Sequence, residues 1–147
     1  MSQGAASLRQ VRIMHAIFLL AILLEFYNSE MMAGNGSGVS GTFVAVIVLA
    51  ACFELLLAYF FRFRRLSPAL EKLRRDPNDA NALKQWRGAH IVILVLTMSV
   101  ALYGFVLRVM GAGRRVAWPF FVLAFIIMLL WRPQLDLSAD GSESQPR

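Results

Sequence analysis

Three observations predict an all-α integral membrane protein, a four-helix bundle of two transmembrane hairpins with both termini inside (N-in, C-in). The 147 residues are 58% apolar and only 16% charged, against ~45–50% and ~25% in an ordinary soluble domain. The apolar residues gather into four runs approaching the ~20 residues that a helix needs to cross a ~30 Å hydrocarbon layer. The basic residues gather between the second and third runs. Length is that of one domain, and the apolar content excludes disorder for most of the chain. Residues 1–133 are therefore read as a single membrane domain and 134–147 as a disordered polar tail.

The first span is placed at 13–31, where an apolar stretch continues through Glu25, Phe26 and Tyr27. Arg9 and Arg12 precede it as they would a signal peptide. No small-x-small cleavage site follows closely, so the helix is expected to be retained. The segment 32–41 alternates glycine with Asn35, Ser37 and Ser40, which reads as a flexible external loop rather than a glycine packing strip. The second span is 42–61.

The linker 62–88 carries Arg62, Arg64, Arg65, Lys72, Arg74, Arg75, Lys84 and Arg87. Ser67-Pro68 signals a helix start, because Ser caps free N–H groups and Pro fits a first turn. Leu66, Leu70 and Leu73 then form one apolar stripe. Asp76-Pro77 stops that helix. Asn78 or Asp79 caps the next, which puts Ala82, Leu83 and Trp86 on one side and runs into the third span. The expectation is a pair of short amphipathic helices on the inner membrane surface, meeting anionic headgroups at ~1 kcal/mol per basic residue. A docking site for a cytoplasmic partner is the alternative.

The third and fourth spans are 89–110 and 116–131, the last closing on Trp131 as interfacial aromatics do. Lys and Arg orient the bundle. With the linker and both termini in the cytoplasm, only Arg108, Arg114 and Arg115 face the other side. The net charge of +6 is thus a topology signal. Every positive cluster flanks a span, which argues against nucleic acid as a partner.

Chemistry is sparse. A single cysteine, Cys52, allows no internal disulfide, and two histidines make a zinc cluster improbable. No His-Glu-x-x-His, exposed Cys–His pair or Gly-rich phosphate loop is present. Neither catalytic residues, nor a metal, nor a cofactor are expected, and the chain is read as a non-enzyme.

Glu54 stands out. It lies roughly 12 Å below the boundary at Arg62 at ~1.5 Å per residue, where a charged carboxylate costs at least ~2.5–3.5 kcal/mol. Ala50, Ala51 and Ala58 share its face. Depth matching from the Arg62 and Gly88 boundaries puts Thr97 and Ser99 opposite it. Glu54 is therefore read as protonated interhelical glue to one of those hydroxyls, as an ion or proton site formed with them, or as a contact to another subunit. Thr97, Ala101, Gly104 and Arg108 make a small-residue strip on the third span. His15 and His90 are expected as separately solvated interfacial groups, or else as a shared point of proton uptake. Glu25 is expected to pair with a snorkelling Arg108.

The segment Met98-Ser99-Val100-Ala101-Leu102-Tyr103-Gly104-Phe105-Val106 resembles the outer-helix signature of the rotor-ring proteolipid (c) subunits of rotary ATP synthases. In that family a carboxylate is followed by small and aliphatic residues, then Tyr-Gly and an aliphatic pair. The resemblance covers about ten residues and implies a double hairpin and a proton- or sodium-carrying ring. Met98 occupies the position of the family's ion-carrying carboxylate. The functional expectation is a noncatalytic accessory or oligomerising subunit in a bacterial cytoplasmic (inner) membrane, contacting lipid and other membrane subunits or itself. A proton- or cation-binding subunit using Glu54 is the alternative.

Overall fold

The computed structural model describes residues 3–33, 38–76 and 79–133, and the described residues form helices joined by short connections. The helices are α1 (Gln3–Met31), α2 (Gly41–Phe61), α3 (Ser67–Arg75), α4 (Ala80–Val109) and α5 (Arg114–Leu130). Three continuous helical stretches are long and apolar enough to cross a membrane: Ala6–Met31, Gly41–Arg75 and Ala80–Val109, of 26, 35 and 30 residues. Helix α5 falls on the fourth apolar run and has 17 residues. The expected loop at 32–41 lies partly, and the tail at 134–147 wholly, outside the described residues.

Local chemistry sets the helix ends. The Ser40 hydroxyl accepts from the Phe43 N–H at the start of α2. The Asp79 carboxylate accepts from Asn81 and Ala82 N–H at 2.9 and 3.1 Å and caps α4. Helix α4 ends in a Schellman motif: the Gly111 N–H donates to the Arg108 carbonyl and the Ala112 N–H to that of Leu107. Gly111 sits at φ 92°, a conformation that costs other L-residues energy.

The linker departs from expectation. Ser67-Pro68 does not begin a separate helix. Instead α2 runs through a π-turn at Arg62–Leu66 directly into α3. Pro68 lacks an N–H and its ring crowds the carbonyl four residues back, so one wider turn lets the helix absorb it. The Ser67 N–H and hydroxyl both bond the Arg62 carbonyl. The apolar stripes then meet each other rather than a membrane surface. Leu66, Ala69 and Leu73 of the α2–α3 rod pack with Ala82, Leu83, Trp86, Ala89 and Ile93 of α4 and Val11 of α1.

The packing is also not a symmetric bundle. Helix α4 is central: α1, α2, α3 and α5 all pack on it, and α1 also meets α5. Among the described residues, the backbone of α2 closely approaches only α4 and its own π-turn. The larger core joins Ile22 of α1, Ala51 of α2, Leu94, Val100, Ala101 and Leu107 of α4, and Ala117, Phe120, Phe121, Ala124 and Met128 of α5. Helix α5 comes close to α4 at Gly104. A Cβ there would stand 2.9 Å from the Ala117 carbonyl oxygen and 3.0 Å from Phe120 Cβ and Phe121 Cε2. Two of those three obstacles belong to backbone or a side-chain root, so they cannot rotate away. Gly104→Ala should therefore push α4 and α5 apart and cost about 1–3 kcal/mol, read as a lower unfolding temperature in detergent. Gly88→Ala, where a Cβ meets nothing within 4 Å, is the matched control and should leave that temperature unchanged or raise it.

Candidate functional site

Polar side chains are grouped at three levels along the helices. At mid-level, Glu54 of α2 accepts a 2.7 Å hydrogen bond from the Tyr103 hydroxyl of α4. Its other oxygen, Oε2, is buried without a hydrogen-bond partner. The expected contact with Thr97 or Ser99 is not formed. Thr97 Oγ1 donates to the Ile93 carbonyl at 2.9 Å and Ser99 Oγ to that of Val95 at 3.2 Å. Both hydroxyls return to their own helix, as hydroxyls in a helix interior commonly do. The register explains the difference. Glu54 and Tyr103 lie at nearly equal chain distances from the connection between α3 and α4, which is where the hairpin turns. Depth matching had counted from Arg62 and Gly88 instead, which slides the pairing toward Thr97. The Tyr103-Gly104 pair thus divides α4 between neighbours: Tyr103 reaches α2 and Gly104 admits α5.

At the end where α1, α4 and α5 converge, Glu30 is the hub. Its carboxylate accepts from Arg108 Nε at 2.8 Å and Nη2 at 3.4 Å, from Arg114 Nε at 2.9 Å and from Trp118 Nε1 at 3.0 Å. Arg108 also donates to the Ala112 carbonyl at 3.2 Å, which ties the clasp to the α4–α5 turn. Phe26 packs edge-on to Trp118 and Phe121 beneath it. The expected Glu25–Arg108 pair is therefore replaced by Glu30–Arg108, and Glu25 Oε2 is buried without a hydrogen-bond partner. Glu30 lies more than a helical turn nearer the end of α1, level with Arg108 and Arg114. The signal for it was available: three outward arginines needed an anion, and Glu30 follows Glu25 in the same helix.

No known protein family, curated protein or solved structure matches this chain.

The third level is the opposite end. His15 and His90 are 7% and 6% exposed, so neither is the solvated interfacial group expected. His90 stacks on Trp86, ring centroids 4.6 Å apart, with Nδ1 3.3 Å from the Trp86 carbonyl oxygen. Both His15 ring nitrogens and the Trp86 indole N–H are buried without hydrogen-bond partners. Arg62 covers the Trp131 ring at 5.1 Å, joining the ends of α2 and α5. Among the described residues, no group of three or more His, Cys, Asp or Glu is arranged to hold a metal.

The clasp gives the clearest stability test. Glu30→Gln removes the charge that Arg108 shares while keeping the shape, and should cost about 2 kcal/mol, seen as a lower unfolding temperature. Because Arg108→Gln breaks the same contacts, the double variant should lose clearly less than the sum of the two.

Proposed function

We propose that the chain is a four-span integral membrane protein acting as a noncatalytic accessory or oligomerising subunit. Its partners are lipid and other membrane subunits or further copies of itself. Both termini and the basic linker lie in the cytoplasm, and a bacterial cytoplasmic membrane is the assigned location. Helix α5 is the fourth span. At ~1.5 Å per residue its 17 residues reach ~25 Å, short of the hydrocarbon thickness by an amount that local thinning accommodates. The observation that carries the functional reading is the Tyr103–Glu54 hydrogen bond. It commits one buried acidic group within the spans to joining two helices, which is structural work.

A specific observation favours a second reading, a proton- or cation-binding subunit. Glu54 Oε2 is buried and has no hydrogen-bond partner, so one acceptor remains for an ion or a proton. Here Glu54 on α2 takes the part that Met98 cannot play in the proteolipid-like segment.

Flux through liposomes separates the two. The accessory reading expects wild type and Glu54→Gln to match empty liposomes, and a companion protein or a defined self-oligomer on purification in mild detergent. A proton or sodium leak that falls on Glu54→Gln, with the fold retained, establishes the conductor instead. Topology has its own check in a Cys52→Ser background. Ser40→Cys should react with an impermeant maleimide added to intact cells, and Lys72→Cys only after permeabilisation.

A further inference from the structure

At the His15 end, a cleft of ≈ 420 Å³ opens between α1 and the end of α5, lined by Arg12, His15, Leu19, Arg132 and Pro133. Arg12 and Arg132 are exposed at its rim. Among the described residues neither forms a salt bridge. His15 forms part of its wall, more than nine-tenths buried, with both ring nitrogens lacking a hydrogen-bond partner. Two exposed guanidinium groups with no salt bridge among the described residues are the donor set of a phosphate site, because guanidinium matches phosphate oxygens in charge and geometry. Leu19 lies one helical turn deeper than His15 on the same face. Arg12 also borders a surface groove with Leu8, Arg9, Ile13 and Ala16, whose deeper wall, at Ile13 and Ala16, is apolar. A phosphate in the cleft would thus have apolar walls leading away from it along α1.

We propose that this cleft is a binding site for the phosphate of an anionic phospholipid, held by Arg12 and Arg132 against a wall formed by His15, with its acyl chains along Leu19, Ile13 and Ala16. The lining of the cleft includes no residue of the basic linker, although Arg62 lies over the neighbouring Trp131 and Arg87 donates to Gln10 on α1. Its position at the end of the apolar stretch of α1 puts the cleft at headgroup depth. The inference rests on the membrane reading, which is tested separately: extraction of the chain from membranes by alkaline carbonate would overturn that reading before any lipid is added.

The test is a lipid titration of the detergent-purified full chain followed by native mass spectrometry, with phosphatidylglycerol, phosphatidylcholine and inorganic phosphate as probes. Phosphatidylglycerol should bind more tightly than phosphatidylcholine, and inorganic phosphate at matched concentration should not displace it. The Arg12→Gln/Arg132→Gln variant should weaken phosphatidylglycerol binding about 30-fold, the product expected of two arginines at a membrane surface. Arg74→Gln/Arg75→Gln, in the linker, should leave it unchanged. Displacement by inorganic phosphate would show a free-anion site and overturn the lipid assignment. Equal weakening by the linker variant, or none by the Arg12/Arg132 variant, would reduce the effect to diffuse charge and overturn the site. Both pairs are exposed, so unfolding of the variants does not cloud the comparison, and their thermal unfolding is measured alongside.

Discussion

Every other helix packs on α4, and its surface has to serve neighbours that demand different chemistry. Toward α5 it presents Gly104, and the absence of a side chain there lets the Ala117 carbonyl and the Phe120 and Phe121 side chains come close. Toward α2 it presents Tyr103. At its end it presents Arg108, which reaches Glu30 on α1. At Gly104 a Cβ would collide with the Ala117 carbonyl and Phe120 Cβ, so this position sets how near α5 can come. The Schellman turn at Gly111 fixes the end of α4 and with it the position of α5. Arg108 bonds both Glu30 and the Ala112 carbonyl. One side chain therefore couples the α4–α5 turn to α1.

Much of this was legible in the sequence, for physical reasons that also mark where legibility ended. The apolar runs gave the helices because hydrophobic length is a property of the segment itself. Asp79 was readable as a cap because capping is local. The small-residue strip through Ala101 and Gly104 was visible as a pattern, although not the helix that fills it. Partner choices failed where they depended on register. Thr97 was set opposite Glu54 by counting from the charge boundary. The hairpin turns further along, at the connection between α3 and α4. The Ser67-Pro68 pair misled in a related way. Capping residues mark a helix start only when the preceding turn is free to end, and the π-turn at Arg62–Leu66 carried the helix through. Glu25 and Glu30 lie on one helix, and only the placement of α5, with Arg114 and Trp118, selects the second.

Two apolar cores follow from that continuous rod, and they answer to different solvents. At ~1.5 Å per residue, the 35-residue stretch Gly41–Arg75 extends to ~50 Å, well beyond a ~30 Å hydrocarbon layer. In the orientation proposed, the cluster of Leu66, Ala69, Leu73, Ala82, Leu83 and Trp86 lies at or beyond the membrane edge. There water drives its burial. In the same proposed orientation the core around Ala101 and Phe121 falls within the lipid, where leaving an apolar solvent for an apolar interior gains little. Close contact and hydrogen bonding have to hold it instead. The close approach of α5 at Gly104 and the Glu54–Tyr103 bond both fall in this second core.

The same distinction decides how the exposed apolar surface of α2 should be read. Leu49, Phe53 and Leu56 are each more than 60% exposed, and in water such a face would demand a cover. In lipid it is already solvated. The apolar groove beside Cys52, between α2 and α5, is subject to the same reasoning. Apolar exposure along these helices consequently carries no preference for a protein partner over an acyl chain. Polar groups do carry one, because a buried donor or acceptor gains when it is paired whatever surrounds it. Within the described parts of α1 and α2 the buried carboxylate oxygens still unpaired are Glu25 Oε2 and Glu54 Oε2. A partner helix that docked on this protein would distinguish itself from lipid by what it offered to those two oxygens.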